Sequence, residues 1–151
     1  MLQLATPADR GAVNALALQV HRLHVAWRPD IYADVQELYP EDRFREAVAA
    51  RELYVAKISD TVVGYVLLTV RMYDLPGLVK RKVMLLDEIC VEDAYRHHGI
   101  GKQMMEEVKV LARAFGCTDL QLSVSPQNEA ALALYESMAM NIKSIQYHLS
   151  L

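Results

Sequence analysis

The 151-residue chain is 53% apolar and carries a formal net charge of −3, which fits one domain, residues 1–151, with a sizeable core and argues against nucleic acid as a partner. Its apolar runs break well short of the ~20 residues a membrane span needs, and the N-terminus lacks the basic-then-apolar layout of a signal peptide, so no membrane partner and a cytoplasmic location are expected. Two cysteines, Cys90 and Cys117, give neither a disulfide framework nor metal-ligand spacing and read as reduced, packed thiols.

Met1 to Ala5 reads as a short strand, after which Thr6-Pro7 supplies an N-cap and a proline at the first helical position. A helix runs from there to about Ala26, with Val13, Leu16, Val20 and Leu23 on its core face, until Pro29 breaks it. From Asp30 to Glu46 six acids stand against Arg43 and Arg45, a stretch that either attracts a cation to a cleft or is a solvated face. A second helix, about Pro40 to Arg51, precedes Leu53 to Ile58 and Val62 to Met72. The β-branched content of these two runs, and Ser59-Asp60-Thr61 between them, predict an antiparallel hairpin.

Asp74-Leu75-Pro76-Gly77 marks a loop before the strand Val83 to Val91. Ile100, Met104, Val108, Leu111 and Phe115 form the core stripe of the next helix, which Gly116 stops. A short strand, Asp119 to Val124, and a helix carrying Asn128 and Tyr135 follow, and the alternation of Ile142 to Leu151 predicts a terminal strand. Strand and helix signals mix in one unit, as expected of a central mixed sheet flanked by helices.

The most informative residues are Arg96-His97-His98-Gly99-Ile100-Gly101, followed by Lys102, between an apolar strand and an amphipathic helix. Amides of a small-residue turn at a helix N-terminus can hold a pyrophosphate, and glycine lets phosphate oxygens approach. The dinucleotide fingerprint fails because Met104 stands where its third glycine belongs. The triphosphate loop fails because Gln103 follows Lys102 and Arg96 replaces its first glycine. Further on, Asn128 and Tyr135 are seven residues apart. At about 100° per residue they lie roughly 20° from alignment on one helix face.

Strand, Arg-x-x-Gly-x-Gly and helix, with the later asparagine and tyrosine, resemble the GNAT superfamily of N-acetyltransferases, whose motif holds acetyl-coenzyme A. The resemblance covers nearly the whole chain. It implies an α/β (α+β) fold: a mixed, mostly antiparallel sheet of six to seven strands with about four helices, splayed between the fourth and fifth strands. It assigns backbone contacts with the cofactor to Ile89, Cys90 and Val91, and the pyrophosphate to Arg96, His97, His98, Gly99, Ile100, Gly101 and Lys102. Asn128, which could also be simply an N-cap, is implied to bond the pantetheine arm. Tyr135 is implied to be the general acid that protonates the departing thiolate.

Acetyl transfer to an amine needs a neutral nucleophile, yet only about one lysine-like amine in two thousand is neutral at pH 7. Asp87 and Glu88 interrupt the apolar strand before the motif, and alternation sends them to opposite faces unless a bulge intervenes. Glu88 is the candidate base, acting through a water chain; the alternative is an acid paired with a nearby base. No metal is expected, because His97 and His98 with Cys90, or His21 with His24, give no coherent set of four ligands.

Two departures stand out. Ala139-Met140 replaces a Gly-Phe common in relatives, and Ser123 stands where the branch acting on ribosomal-protein N-termini tends to carry a glutamate. The expected reaction is direct transfer, in a ternary complex, to a primary amine of a small molecule. Alternatives are a protein or peptide N-terminal or lysine acetyltransferase, and a non-catalytic acyl-coenzyme A binding module. A homodimer is compatible with each.

Overall fold

The computed structural model describes residues 1–151. In chain order they form β1 (Leu2–Leu4), α1 (Arg10–Trp27), α2 (Glu41–Ala49), β2 (Leu53–Ile58), β3 (Thr61–Tyr73), β4 (Arg81–Val91), α3 (Ile100–Ala114), β5 (Asp119–Leu122) and α4 (Glu129–Ser137). The five strands make one sheet in the order β1-β2-β3-β4-β5. β1 to β4 pair antiparallel, and β5 joins β4 in parallel.

Local chemistry explains the joints. Thr6 and Asp9 form a reciprocal capping box around a 3-10 turn, Pro7–Asp9, that leads into α1. The buried Asp9 also pairs with Lys57 at 2.8 Å, which ties the start of α1 to β2. Burial opposes the charge of Asp9, but hydrogen bonds from Lys57 and Thr6 outweigh it and hold the carboxyl below its ordinary range. Between β2 and β3, Ser59 and Asp60 take φ of 47° and 64°, the left-handed pair that matches the twist of a two-residue hairpin.

Strand alternation divides the core into two. Leu53 and Val55 of β2 pack with Val13, Leu16 and Ala17 of α1 and Phe44 of α2, whereas Tyr54 and Ala56 pack with Met104, Met105 and Val108 of α3. No helix is long and apolar enough to cross a membrane.

The sheet has five strands rather than the six to seven expected. The missing one is the segment from Ile142 to Leu151, which has no regular structure and is exposed throughout. Alternation alone does not make a strand; a neighbouring edge must take up its backbone groups and a core must take up one face. Here Ile142, Ile145, Tyr147, Leu149 and Leu151 face solvent, and a hydrogen bond from Arg28 Nη2 to His148 Nδ1 (2.9 Å) tethers the segment to the end of α1. β5 is shorter than expected for a related reason: it leaves β4 after Leu122 and has no partner beyond.

Candidate active site

The site begins with a break in the pairing of β4. Leu67 pairs with Glu88 and Leu68 with Leu86, so Asp87 is the extra residue of a β-bulge. The bulge reverses alternation. Met84 and Leu86 face the α3 side, but beyond Asp87 it is Ile89 and Val91 that do so, and Cys90 packs on the α1 side. Glu88 therefore turns towards α1 and α2, where an uninterrupted strand would have sent it to α3.

On that side Glu88 meets three donors. The phenols of Tyr39 and Tyr65 both donate to its Oε2 at 2.7 Å, and Arg43 lies 3.5 Å from its Oε1. The two tyrosine rings meet edge to face, and the Arg43 guanidinium stacks 4.4 Å from the Tyr39 ring centre. Burial first, and the Glu88 carboxylate second, push both phenols above the ordinary tyrosine range, so they remain donors. Asp87 is taken up separately, by the Thr69 hydroxyl at 2.7 Å.

A second break opens the sheet. β4 and β5 pair only from Val83 with Asp119 to Leu86 with Leu122, and then diverge. This is the splay expected between the fourth and fifth strands. Glu92 N donates to Val63 O, so ladder alternation turns the peptide groups of Cys90 towards β3 and those of Ile89 and Val91 towards the gap. Of the three residues singled out in this strand, Ile89 presents an open backbone edge, and Val91 presents its N–H alone because its carbonyl accepts from Arg96. The Cys90 thiol is buried, pushed up to about 11 by that burial, and bonded to Leu16 O.

The splay leads into a cavity of about 290 Å³. Glu88 and Ile89 of β4 line it together with Asn128 and Tyr135 of α4, and His21, His24 and Tyr32 form the opposite wall. Asn128 is the N-cap of α4: its Oδ1 accepts from Ala131 N at 3.1 Å. Tyr135 is buried and has no hydrogen-bond partner in the protein for its hydroxyl, and desolvation pushes its phenol up to about 12. The two residues read from the sequence as sharing a helix face do share this cavity.

The turn from Arg96 to Lys102 lies outside the cavity wall, past the end of β4. His97 and Gly99 both take left-handed φ, 62° and 80°, the alternation that makes successive amides converge. Gln103 N, bonded to Gly99 O at 3.0 Å, is the first paired amide of α3, which leaves those of Ile100, Gly101 and Lys102 free. The first turn of α3 has no acid, and Lys102 stands there, so the helix N-terminus keeps its positive potential. Arg96 instead braces the turn, donating from Nε to Val91 O at 3.0 Å and pairing with Asp93 at 2.8 Å.

Such a site can hold an anion on backbone amides, pair an extended amide chain along an open strand edge, and place a phenol at the inner end. The model of the Acetyltransferase (GNAT) family matches residues 18–140. The chain belongs to the GNAT acetyltransferase family. That is a family of acyltransferase enzymes.

Among its relatives, the thialysine N-epsilon-acetyltransferase of Bos taurus is 34% identical over 59 residues, a match spanning 39% of this chain and 35% of that enzyme. A mutant of the BH1408 protein of Bacillus halodurans is 26% identical with a TM-score of 0.94, covering 100% of this chain and 99% of that one. The aminoglycoside antibiotic 6'-N-acetyltransferase of Acinetobacter haemolyticus shares the fold at 17% identity and a TM-score of 0.73, over 100% of this chain and 97% of that one.

Within this GNAT chain several contributors have no local sequence signature. Tyr39 and Tyr65 reach Glu88 across 49 and 23 residues of chain. Gly64 permits the close packing of β4 and α3: a Cβ there would lie 2.6 Å from Cys90 O and 3.0 Å from Met104 Sδ. Half of the six acids from Asp30 to Glu46 are paired where they stand: Asp30 with Arg28, Glu37 with Arg10 and Asp42 with Arg45. The cavity draws only Tyr32 and Leu38 from it.

Proposed function

We propose that this chain is one acetyltransferase domain, residues 1–151, that moves the acetyl group of acetyl-coenzyme A directly to a primary amine of a small molecule in a ternary complex. One observation carries the reading. The splay between β4 and β5 connects a cradle of unpaired amides at one end with a cavity containing an unbonded phenol at the other.

The residues fit the cofactor part by part. Free amides of Ile100, Gly101 and Lys102, with the turn of His97, His98 and Gly99 braced by Arg96, hold the pyrophosphate. The open edge of Ile89 and the N–H of Val91 pair with the pantetheine amides as an added strand would, beside Cys90, and Asn128 bonds the same arm. When bound, acetyl-coenzyme A supplies a thioester as acyl donor. Tyr135, which stays protonated far above neutral pH, gives its proton to the departing sulfur. The carboxylate of Glu88 places negative charge where a cationic amine enters.

A cavity of about 290 Å³ suits a small acceptor, being at the lower end of ligand pockets. The names of the thialysine and aminoglycoside enzymes point to small amines as well. A peptide amine or simple acyl-coenzyme A binding remains the second outcome of the same test. The reading also takes the protein to be cytoplasmic and homodimeric. Thiol release is followed with acetyl-coenzyme A against thialysine, aminoglycosides, diamines and peptides. Turnover is expected with a small amine and falls about 10²-fold in Tyr135→Phe, with cofactor affinity kept. Tight cofactor binding without turnover on any acceptor would establish a binding module instead.

A further inference from the structure

Deprotonation of the acceptor ammonium lacks an obvious agent. Glu88 has both carboxylate oxygens engaged, by Tyr39 and Tyr65 on one and Arg43 on the other. Asp87 is bonded to Thr69, and His21 Nε2 lies 2.6 Å from Ala33 O. His24 differs from all of these. It projects from α1 into the same cavity, and neither ring nitrogen has a hydrogen-bond partner in the protein. Its ring is fixed by packing, edge-on to Trp27 with centroids 5.5 Å apart and tilted against Tyr32 at 5.0 Å. An oriented imidazole with a free lone pair facing a reaction cavity is suited to accept a proton.

We propose that His24 is the proton acceptor for the incoming ammonium, and that Glu88 acts through it as a positioning residue that stabilises the imidazolium. The proposal rests on the acetyltransferase reading above. An N–H bond of the ammonium breaks towards a ring nitrogen of His24. The freed lone pair forms the amide C–N bond as the thioester C–S bond breaks. The sulfur takes the Tyr135 proton, and the nitrogen's second proton restores the phenol. His24 then passes its proton to solvent, so one proton is released for each acetyl group transferred.

The electrostatics agree with this division. Burial and the neighbouring His21 lower the His24 pKa below the ordinary imidazole value, and the Glu88 carboxylate opposes them. The lowered value favours the neutral ring that can accept a proton, and Glu88, lining the same cavity, opposes the cost of charging it. The other ionisable groups of the cavity are Asp87 beside Glu88, the phenols of Tyr32 and Tyr65, and Tyr135 on α4.

Two measurements test the assignment. Turnover with the best amine of the panel is recorded against pH for wild type and His24→Ala, with and without added imidazole. Separately, the His24 ring resonances are titrated by NMR in wild type and Glu88→Gln, with no substrate present. Loss of about 10²-fold in kcat is expected for His24→Ala, with the acid limb of the profile removed, KM for acetyl-coenzyme A unchanged and partial rescue by imidazole. The His24 titration midpoint is expected to lie below that of a free imidazole, and to fall further in Glu88→Gln because the stabilising carboxylate is gone. If His24→Ala keeps both rate and acid limb while turnover stands, the His24 assignment fails alone. If no amine is turned over, the acetyltransferase reading fails and takes His24 with it. An NMR midpoint indifferent to Glu88→Gln removes the positioning role of Glu88.

Discussion

Single residues separate what is local in this protein from what is not. Tyr135 and Asn128 are legible in the sequence because helical periodicity is a short-range rule, and they face one cavity as the spacing requires. The surroundings of Glu88 are not legible, because two phenols from distant segments close on it only after a bulge at Asp87 has reversed the face it occupies. A bulge has no composition signature of its own. Asp9 offers the clearest test at this scale. Its carboxyl is held below the ordinary range by Lys57 and Thr6, so its stabilising effect is complete above the unfolded value near 3.8 and vanishes as pH falls through the lower folded value. Asp9→Asn is expected to lose about 2 kcal/mol at pH 7 and a smaller amount at about pH 2.5. Urea unfolding at the two pH values reads the difference directly, and an equal loss at both would mean that the charge of Asp9 contributes nothing.

At the scale of elements, caps and turns were the readable part. Pro7 and Pro29 bracket α1, Ser59 and Asp60 turn the hairpin, and Gly116 ends α3 at φ 75°. The end of α4 obeys the same rule with a poorer residue. Ala139 occupies the left-handed position after the helix at φ 58°, and Met140 N returns to Tyr135 O at 3.1 Å. That conformation is one that glycine, without a Cβ, adopts at little cost. Ala139→Gly is therefore expected to stabilise the protein by about 1 kcal/mol, because relief of the left-handed strain exceeds the added chain entropy. Because the turn hangs from the residue that carries the phenol, the same variant should leave turnover unchanged if α4 keeps its position. Thermal unfolding and the thiol-release assay distinguish these effects, and a lower melting temperature would show that Ala139 is not strained.

For the whole molecule, the order of elements follows from the chain and the splay from the family resemblance, but the strand count follows from neither. Periodicity reports which faces a segment could present, but a sheet edge must exist to receive it, and that is a property of the assembled fold. The segment after Met140 shows the gap. Ile145, Tyr147, Leu149 and Leu151 repeat with the period of a one-sided strand, yet all four face water, and the outer edge of β5 has no partner. Alternating exposed apolar residues in a chain that also has an unpaired strand edge are a common mark of a surface that is covered in the working assembly. If the homodimer forms, this segment is where it should bury area, and the two observations answer each other: one copy's strand needs an edge, and the other copy's β5 has one. The full chain is then expected to sediment as a dimer at micromolar concentration, and a chain ending at Met140 as a monomer. The shortened chain should keep its helical circular dichroism and its affinity for coenzyme A, because neither α3 nor the splay draws on these residues. A full-length chain that sediments as a monomer would dismiss the dimer; a shortened chain that remains dimeric would move the interface elsewhere, to the α1 and α2 face.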